Sequence, residues 1–355
     1  MTKLRLAVVG AGYLGRFHAR LAAGLEGIEL VAVIDPDREA REAVATEAHC
    51  AALAHHREVL DRVDAIVLAA PTPLHHQIGC ELLRAGKHLL IEKPLASTLR
   101  QCDELVDIAR RHSLTLQVGH VERFNPALTA VTPYVESPRY FEATRLGGHT
   151  FRSTDVGVVL DLMIHDLDII LSLVDSPVTR VDAVGQCVLG ETEDMATAHL
   201  RFANGCCANV TASRISVESS RRMRIWSDGS YAEVDFAEHT ARLVRPSSAV
   251  RAGRIDLAAL DTAEREHFKE HLFDELLPCE QFDPPPVNAI EEELKDFAEC
   301  IRTARLPRVD GRQARDAVAL AEWITESMQK DRWQVDTPAV LLQGPHWNRV
   351  RNPAA

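Results

Sequence analysis

Short apolar runs alternate with longer amphipathic stretches through the first third of the chain. The runs predict strands with apolar side chains on both faces, and the stretches between them predict helices. Strands separated by helices in this way form a parallel sheet that is covered on both sides. The predicted strands lie at 4–9, 28–34, 65–69, 88–91 and 115–118, and the predicted helices at 13–25, 37–48, 74–85 and 99–112. We therefore predict an α/β domain over residues 1–121 with a doubly wound parallel sheet of the Rossmann type.

The pattern changes after residue 121, where predicted strands follow one another without helices between them. The dipeptides Asn204-Gly205 and Asp228-Gly229 each separate two such strands and favour tight hairpin turns. The remaining predicted elements are a strand at 141–145 and helices at 156–173, 289–302 and 311–330, with a Pro-rich connector at 283–286. We predict that residues 122–355 form an α+β domain with an open, mainly antiparallel sheet and C-terminal helices, which binds substrate and mediates oligomerisation.

The composition is ordinary for a two-domain globular protein, with 46% hydrophobic and 26% charged residues among 355. A net charge of −12 disfavours nucleic acid as a partner. The eight cysteines form no CxxC pair, which favours reduced thiols in a cytoplasm, and no spacing indicates a metal site. Because the N-terminus lacks a signal-like apolar core and no run is long enough to span a bilayer, we predict a cytoplasmic protein away from the membrane.

A glycine-rich turn, Gly10-Ala-Gly12-Tyr-Leu-Gly15, follows the first predicted strand and opens the first helix. Gly10 permits the tight turn, Gly12 lets the backbone approach a pyrophosphate, and Gly15 lets the helix pack close to the strand. The free N–H groups of Tyr13 and Leu14 at the helix N-terminus are then available to phosphate. In this context the turn predicts a dinucleotide site.

Asp35 ends the second predicted strand, about 20 residues beyond the glycines, where a carboxylate can accept hydrogen bonds from the adenosine ribose. It would repel a 2′-phosphate, and Asp37 would add to that repulsion. We therefore predict NAD rather than NADP as the cofactor. The structural alternative is that Asp35 caps the next helix.

The segment Ala70-Pro-Thr72-Pro73-Leu-His75 follows another strand at the carboxyl edge of the sheet, where α/β proteins bind ligands. Ala70, Thr72 and His75 are therefore predicted to bind the cofactor, with Thr72 and the backbone around it lining the nicotinamide ribose; His75 lies next to His76, and one of the two could simply be solvated. Thr72 as N-cap with Pro73 at the first helical position is the plainer interpretation, and both can hold together.

Glu92-Lys93-Pro94 follows the strand at 88–91 and is predicted to lie beside the cofactor. A lysine close to an oxidised nicotinamide should have a lowered pKa, because like charges disfavour its charged form. That would suit Lys93 to proton transfer at a carbinol and to substrate binding. An isolated Glu-Lys pair would otherwise be a surface salt bridge.

Asp161, His165 and Asp168 follow one another at i, i+4 and i+7, so one face of a largely apolar helix is predicted to carry all three. Asp161 could orient His165 and stabilise its protonated form, as in a base with an orienting acid. A shared metal is a weaker alternative because no third ligand has suggestive spacing. A satisfied core histidine is the structural alternative.

The glycine turn, Glu92-Lys93-Pro94 and the Asp161-x-x-x-His165 helix together resemble the Gfo/Idh/MocA oxidoreductases (glucose–fructose oxidoreductase, inositol dehydrogenase and relatives). The resemblance covers residues 4 to about 328. It implies a Rossmann domain followed by an α/β domain with an open antiparallel sheet, and a homodimer or homotetramer. It also implies that Lys93, Asp161 and His165 are the catalytic group.

Residues 119–126 and 155–168 further resemble the nucleotide-sugar 3-dehydrogenases of that family. This implies NAD-dependent oxidation of the 3-hydroxyl of UDP-N-acetylglucosamine to a 3-keto sugar, a precursor of the 3-amino sugar of lipid A. A diphosphate favours arginine and N–H donors. The predicted substrate contacts are Lys93, Asp161 and His165 with four residues at the start of the second domain, Glu122, Arg123, Asn125 and Arg145. Arg152 and Arg214 are weaker candidates, and residues 145–149 depart from the form expected of that branch.

The mechanism that follows has His165 taking the hydroxyl proton as hydride leaves, with Lys93 bonded to the same oxygen, although these two roles could be exchanged. Rival functions are another dehydrogenase of the family, acting on the uronic acid form of the nucleotide sugar, on inositol or on a free sugar. A non-catalytic NAD sensor would need the glycines and Asp35 but not Lys93 with His165. The residues therefore favour an enzyme.

Overall fold

A computed structural model of the chain describes residues 3–150 and 156–330. The first domain contains a sheet of six parallel strands in the order β3-β2-β1-β4-β5-β6, with helices between them. The strands are β1 (Leu4–Val9), β2 (Ile28–Ile34), β3 (Ala51–Leu53), β4 (Ala65–Leu68), β5 (His88–Glu92) and β6 (Leu116–Gly119). The helices are α1 (Tyr13–Gly24), α2 (Arg38–Glu47), α3 (Thr72–Arg84) and α4 (Leu99–Arg111). This confirms the predicted doubly wound sheet.

Both faces of this sheet are buried, which is why its strands are continuously apolar: Leu6, Val8, Ile66 and Leu90 have no exposed surface. The sequence missed β3 because its three residues are too few to show a pattern. All predicted strands in this domain are present, with ends that move by one residue at most.

The second domain contains an eight-stranded sheet in the order β14-β13-β12-β11-β7-β10-β9-β8. Within the described residues β7 and β10 run parallel and the other neighbouring strands run antiparallel. The strands are β7 (Pro138–Leu146), β8 (Val178–Gln186), β9 (Met195–Phe202), β10 (Cys207–Ser213), β11 (Ser220–Ser227), β12 (Ser230–Asp235), β13 (Thr240–Val244) and β14 (Cys279–Phe282). Both predicted hairpins are present, and their turn glycines, Gly205 and Gly229, have φ of 87° and 76°.

One face of the second sheet is covered by helix α6 (Ile164–Leu173), which a single π-helical turn precedes at Val159–Met163. Smaller elements are the 3₁₀ turn Val121–Phe124 with α5 (Pro126–Val131) after it, and an insertion between β13 and β14 with α7 (Ser248–Arg251) and α8 (Thr262–Glu270). The sequence analysis did not predict β8, β13 and β14.

Two C-terminal helices, α9 (Ala289–Thr303) and α10 (Gly311–Lys330), return to the first domain. Leu294 and Phe297 of α9 are buried in the same core as Ala19 and Ala22 of α1. Helix α10 contacts α4, α6 and β8, and so joins the two domains. A boundary at residues 121 and 122 therefore stays a prediction, because the packing puts α9 with the first domain.

Among the helices of the described residues, none combines the length and apolar character that a membrane crossing requires. All eight cysteines are free thiols, and four of them are buried.

Candidate active site

The turn between β1 and α1 presents bare backbone at its tip. Gly10 has φ of 101°, which favours glycine, and a Cβ there would collide with the carbonyl of Ala69. Gly12 is exposed, and no atom lies within 4 Å of the position that its Cβ would take. Gly12 is also the N-cap of α1, without a side-chain cap, so the first N–H groups of the helix face open space. This is the surface that a diphosphate needs.

The Asp35 carboxylate lies beside this turn. One carboxylate oxygen accepts the N–H of Ala11 at 2.7 Å, and the other accepts the N–H of Asp37 at 2.8 Å. Asp37, and not Asp35, caps α2, because its carboxylate accepts the N–H of Glu39 at 2.9 Å. A carboxylate has about four lone pairs, so about two remain on Asp35 for ribose hydroxyls. The residues present therefore fit NAD.

The segment after β4 surrounds the other end of the cofactor surface. Helix α3 begins at Thr72 with Pro71 as its N-cap, so the interpretation of Thr72 as the cap was wrong. His75 is 1% exposed, and its ring nitrogens lie 2.9 Å from the carbonyl of Pro94 and 2.7 Å from that of Ala70. We correct the prediction for His75: it ties the Ala70 loop to the turn after β5 from inside the domain.

Glu92 and Lys93 point in opposite directions at the end of β5. The Lys93 ammonium donates to the carboxylate of Asp161 at 2.9 Å and to its backbone carbonyl at 2.6 Å. The Glu92 carboxylate turns inward, 2.6 Å from Nε2 of His18, and also accepts the N–H of Lys93 at 3.3 Å. The prediction that Glu92 contacts the cofactor is therefore corrected, because its side chain is buried behind the site.

Three pairs of side chains line up between the first domain and the helix that the sequence singled out. They are Lys93 with Asp161, His120 with His165, and Arg123 with Asp168. The expectation that Asp161 orients His165 was wrong, because its carboxylate is bonded to Lys93. The π-helical turn at Val159–Met163 breaks the regular i, i+4 spacing on which that expectation depended.

His165 is held in the neutral form. Burial, together with the positive charges of Lys93 and Arg145, lowers the pKa of His165 well below its ordinary value. Its ring is half-buried, and Nδ1 has no hydrogen-bond partner within the described residues. A neutral imidazole with a free lone pair can accept a proton.

His120 is a site residue that sequence reasoning missed. It follows β6 directly, is fully buried, and its ring centroid lies 6.1 Å from that of His165 in an edge-to-face arrangement. Burial lowers the pKa of His120 as well. Its position at the carboxyl end of a parallel strand was the available signal.

Arg145 lies beneath the site and not in it. Arg145 is 4% exposed, and its guanidinium donates to both oxygens of Asp166 at 3.0 and 2.9 Å and to Glu122 at 2.7 Å. Burial alone would lower the pKa of Arg145, but the two carboxylates outweigh it and raise that pKa. We therefore correct the prediction that Arg145 contacts substrate, because it is buried between two carboxylates, whereas substrate contact by the half-buried Glu122 stays a prediction.

The other predicted arginine and amide contacts also have protein partners. Asn125 is 2% exposed, caps α5 and donates to the carbonyl of Phe236 at 3.2 Å. Arg123 lies 3.5 Å from Asp168 and donates to the carbonyl of Arg308. Arg214 is buried against Asp194 at 2.8 Å, and Arg152 lies outside the described residues.

Arg221 is a free cation beside the site that sequence reasoning did not select. It lies opposite Arg145 in the antiparallel pairing of β11 with β7, so the two side chains share the face on which α6 packs. Unlike Arg145, Arg221 is exposed, and its guanidinium has no hydrogen-bond or ion-pair partner in the part of the chain that the structure describes. After burial, Lys93, Arg145 and His120, its charge also lowers the pKa of His165.

A bare glycine turn with the Asp35 carboxylate beside it, and a Lys93–Asp161 pair beside a neutral imidazole, are the features expected of a dehydrogenase that acts on a carbinol. Residues 4–120 match the family model described as "Oxidoreductase family, NAD-binding Rossmann fold", and residues 134–232 match the model "GFO/IDH/MocA C-terminal domain". The chain belongs to the Gfo/Idh/MocA oxidoreductase family, and it is an NAD-dependent enzyme acting on a CH–OH group.

Two named relatives and one solved structure are similar to this chain. It is 38% identical over 278 residues to UDP-N-acetylglucosamine 3-dehydrogenase of Acidithiobacillus ferrooxidans, covering 76% of this chain and 88% of the relative. A solved structure of that enzyme superposes with a TM-score of 0.80 at 33% identity, over 93% of this chain and 99% of the other. Similarity to the scyllo-inositol 2-dehydrogenase (NAD(+)) of Bacillus subtilis is weaker, 29% over 60% of this chain and 68% of the relative.

Proposed function

We propose that the enzyme oxidises the 3-hydroxyl of UDP-N-acetylglucosamine to the 3-keto sugar, with NAD as the oxidant. The substrate is supported by the 38% identity to a relative of that activity, of whose length the chain covers 88%. The chemistry depends on one observation above all: a neutral His165 stands beside a lysine that Asp161 keeps in place.

The surroundings of Lys93 and His165 support different roles for them in proton transfer. Lys93 is bonded to the Asp161 carboxylate, so its ammonium acts as a hydrogen-bond donor to the substrate oxygen. The low pKa of His165 keeps its imidazole neutral, so we assign it to take the hydroxyl proton. NAD, when bound, accepts the hydride from the carbinol carbon. We therefore propose His165 as the base and Lys93 as the donor, two roles that the sequence left exchangeable.

The diphosphate of the substrate needs a cation that is not already neutralised. Arg123, Arg145 and Arg214 each have a carboxylate partner. Arg221 has no such partner among the residues that the structure describes, and it shares a sheet face with the residues under the site. We assign Arg221 to the diphosphate, for which a guanidinium provides two parallel donors.

A substrate panel tests the proposal. NADH formation is measured with UDP-N-acetylglucosamine, its uronic acid form, myo-inositol and glucose, with NAD and NADP in parallel. We expect UDP-N-acetylglucosamine with NAD to give the highest kcat/KM. Faster turnover of a free cyclitol or hexose would contradict the nucleotide-sugar assignment, and tight NAD binding with no turnover on the panel would favour a sensor.

We also propose that the enzyme is a homodimer or homotetramer located in the cytoplasm, and that its product feeds 3-amino sugar synthesis of the lipid A type. The sheet face opposite α6 supports an oligomer, because it carries a row of half-buried aromatic rings. The Trp226 ring centroid lies 5.2 Å from that of Tyr140 and 5.0 Å from that of Tyr231. Light scattering of the purified protein gives the assembly directly, and a monomer would contradict this proposal.

A further inference from the structure

Three ionisable side chains meet in the core directly behind Lys93. His18 comes from α1, Glu92 from the end of β5 and Glu293 from α9. They are 0%, 7% and 0% exposed, and their acid and base atoms lie within 4.8 Å of one another. None of the three faces the open cleft, so binding cofactor or substrate does not account for the cluster.

The hydrogen bonds in this cluster are unevenly distributed. His18 and Glu92 share a short bond of 2.6 Å, and the second oxygen of Glu92 accepts the N–H of Lys93. That oxygen also packs against Gly119, where a Cβ would come within 2.8 Å of it. Both carboxyl oxygens of Glu293 lack a partner within the described residues, although Gln117 donates to the backbone carbonyl of Glu293 at 2.9 Å.

The charges require one more positive group. A protonated His18 could balance Glu92, but Glu293 would remain a buried carboxylate without a partner, which is strongly unfavourable. A proton or a metal ion could supply the missing charge. The separation of His18 and Glu92 is 2.6 Å, whereas two ligands that are about 2.1 Å from one metal lie about 2.9 Å apart or more. The geometry therefore favours a proton.

We propose that Glu293 is held as the neutral carboxylic acid and is a positioning residue for Lys93, acting through Glu92. With Glu293 neutral, Glu92 keeps its bond to His18 and holds the backbone N–H of Lys93. Ionised Glu293 would repel Glu92 and disturb that bond. The role of Lys93 rests on the proposed function, whereas the proton on Glu293 does not.

The surrounding charges agree with this assignment. Burial raises the pKa of Glu293 well above its ordinary value, and the negative charges of Glu92 and Asp296 raise it further. Burial opposes ionisation of Glu92 too, but the hydrogen bond from His18 and the charge of Lys93 outweigh it and lower the pKa of Glu92. His120 also interacts with Glu92, and burial lowers the pKa of His120.

Glu293→Gln tests the proton without any substrate, because an amide copies the neutral acid and cannot ionise. A group whose folded pKa is raised stabilises the fold at low pH and loses that contribution as pH rises. Wild type should therefore lose stability between pH 5.5 and 8.5 relative to E293Q. We expect E293Q to have a Tm about 2–4 °C above wild type at pH 8, with a smaller difference at pH 5.5.

Glu292→Gln is the matched control, since Glu292 lies on the same helix but is paired with Lys295 at the surface. It should not reproduce the pH-dependent gain. A lower Tm for E293Q at every pH, or stoichiometric zinc or manganese in purified wild type that E293Q loses, would overturn the protonated acid. If E293Q does not fold, an infrared band of a buried protonated carboxyl in wild type at pH 7 supports the proposal, and its absence contradicts it.

Steady-state kinetics test the positioning role of Glu293, with the substrate that the substrate panel identifies. E293Q should keep kcat at pH 7 and retain it to higher pH than wild type, whereas Glu293→Ala should lower kcat about 10–100-fold with little change in the KM for NAD. Equal kcat for E293A and wild type would refute positioning. Because the Tm series needs no substrate, failure of the nucleotide-sugar assignment would leave the protonation test intact.

Discussion

The cofactor end and the catalytic end of the active site are built from different kinds of chemical group. The cofactor end consists mainly of backbone: an exposed glycine, unfilled helix N–H groups and a single carboxylate that two N–H groups hold in place. The catalytic end consists of charged and imidazole side chains in partly or fully buried pairs, Lys93 with Asp161 and Arg145 with Asp166 among them. The catalytic end should therefore be more sensitive to pH than the cofactor end.

The largest effect is expected from His165→Ala. Removing the base should lower kcat about 10²–10⁴-fold with UDP-N-acetylglucosamine. NADH binding, followed by fluorescence, should be unchanged, because the glycine turn lies in a different part of the site. Near-wild-type turnover in this variant would refute His165 as the base.

Removing Arg145 from its buried ion pair with Asp166 should lower the stability of the fold. Arg145→Met leaves Asp166 buried without its bidentate partner, which should cost about 3–5 kcal/mol in the free energy of unfolding, measured with urea. Arg139→Met is the control, because Arg139 and Asp228 form an exposed pair and we expect no measurable change. Equal stability of R145M and R139M would contradict the structural role given to Arg145.

Filling the cofactor end should affect binding while the fold is retained. Gly12→Val puts a side chain where the diphosphate must approach, yet nothing in the protein lies within 4 Å of its Cβ position. The Kd for NADH should rise about 10–100-fold, as expected for losing one hydrogen bond to a charged group, with little change in Tm. Gly24→Val, equally open but at the far end of α1, should leave the Kd unchanged. Wild-type affinity in G12V would place the cofactor elsewhere.

The smallest effect concerns substrate recognition. Arg221→Gln should raise the KM for UDP-N-acetylglucosamine about 10-fold and leave kcat nearly unchanged, because binding at the diphosphate is equal in the ground and transition states. Arg222→Gln is a matched neighbour on the other face of β11, where Arg222 pairs with Asp235 at 2.8 Å. An equal effect in both variants would argue against a specific contact by Arg221.

The cofactor end could be predicted from the sequence because the residues that form it lie close together along the chain. Glycines at set spacing, a strand before them and an acid after the next strand all lie close in sequence, and the structure places each where the spacing indicated. The same holds for the hairpin turns at Gly205 and Gly229, whose positive φ follows from adjacent residues.

The catalytic end was predictable in its residues but not in their partners. Lys93 and Asp161 are 68 positions apart and meet only when the domains pack, and a π-helical turn, which no periodicity indicated, sets the direction of Asp161. We predicted Arg145 as a substrate contact because its carboxylate partners, Glu122 and Asp166, are more than 20 positions away in the sequence. Nothing in the sequence indicated a role for Glu293, for the same reason. Its neighbours His18 and Glu92 come from other elements and are remote in sequence.

The central claim is that a neutral His165, beside the Lys93–Asp161 pair, takes the proton from the sugar hydroxyl. Its most direct test is the pH dependence of kcat/KM for UDP-N-acetylglucosamine in the wild-type enzyme. Because burial and nearby cations lower the pKa of His165, activity should remain level as pH falls through 6.5 and decline only below it. A decline that begins at or above pH 6.5 would contradict the account, because the base would then be an ordinary or charge-stabilised imidazole.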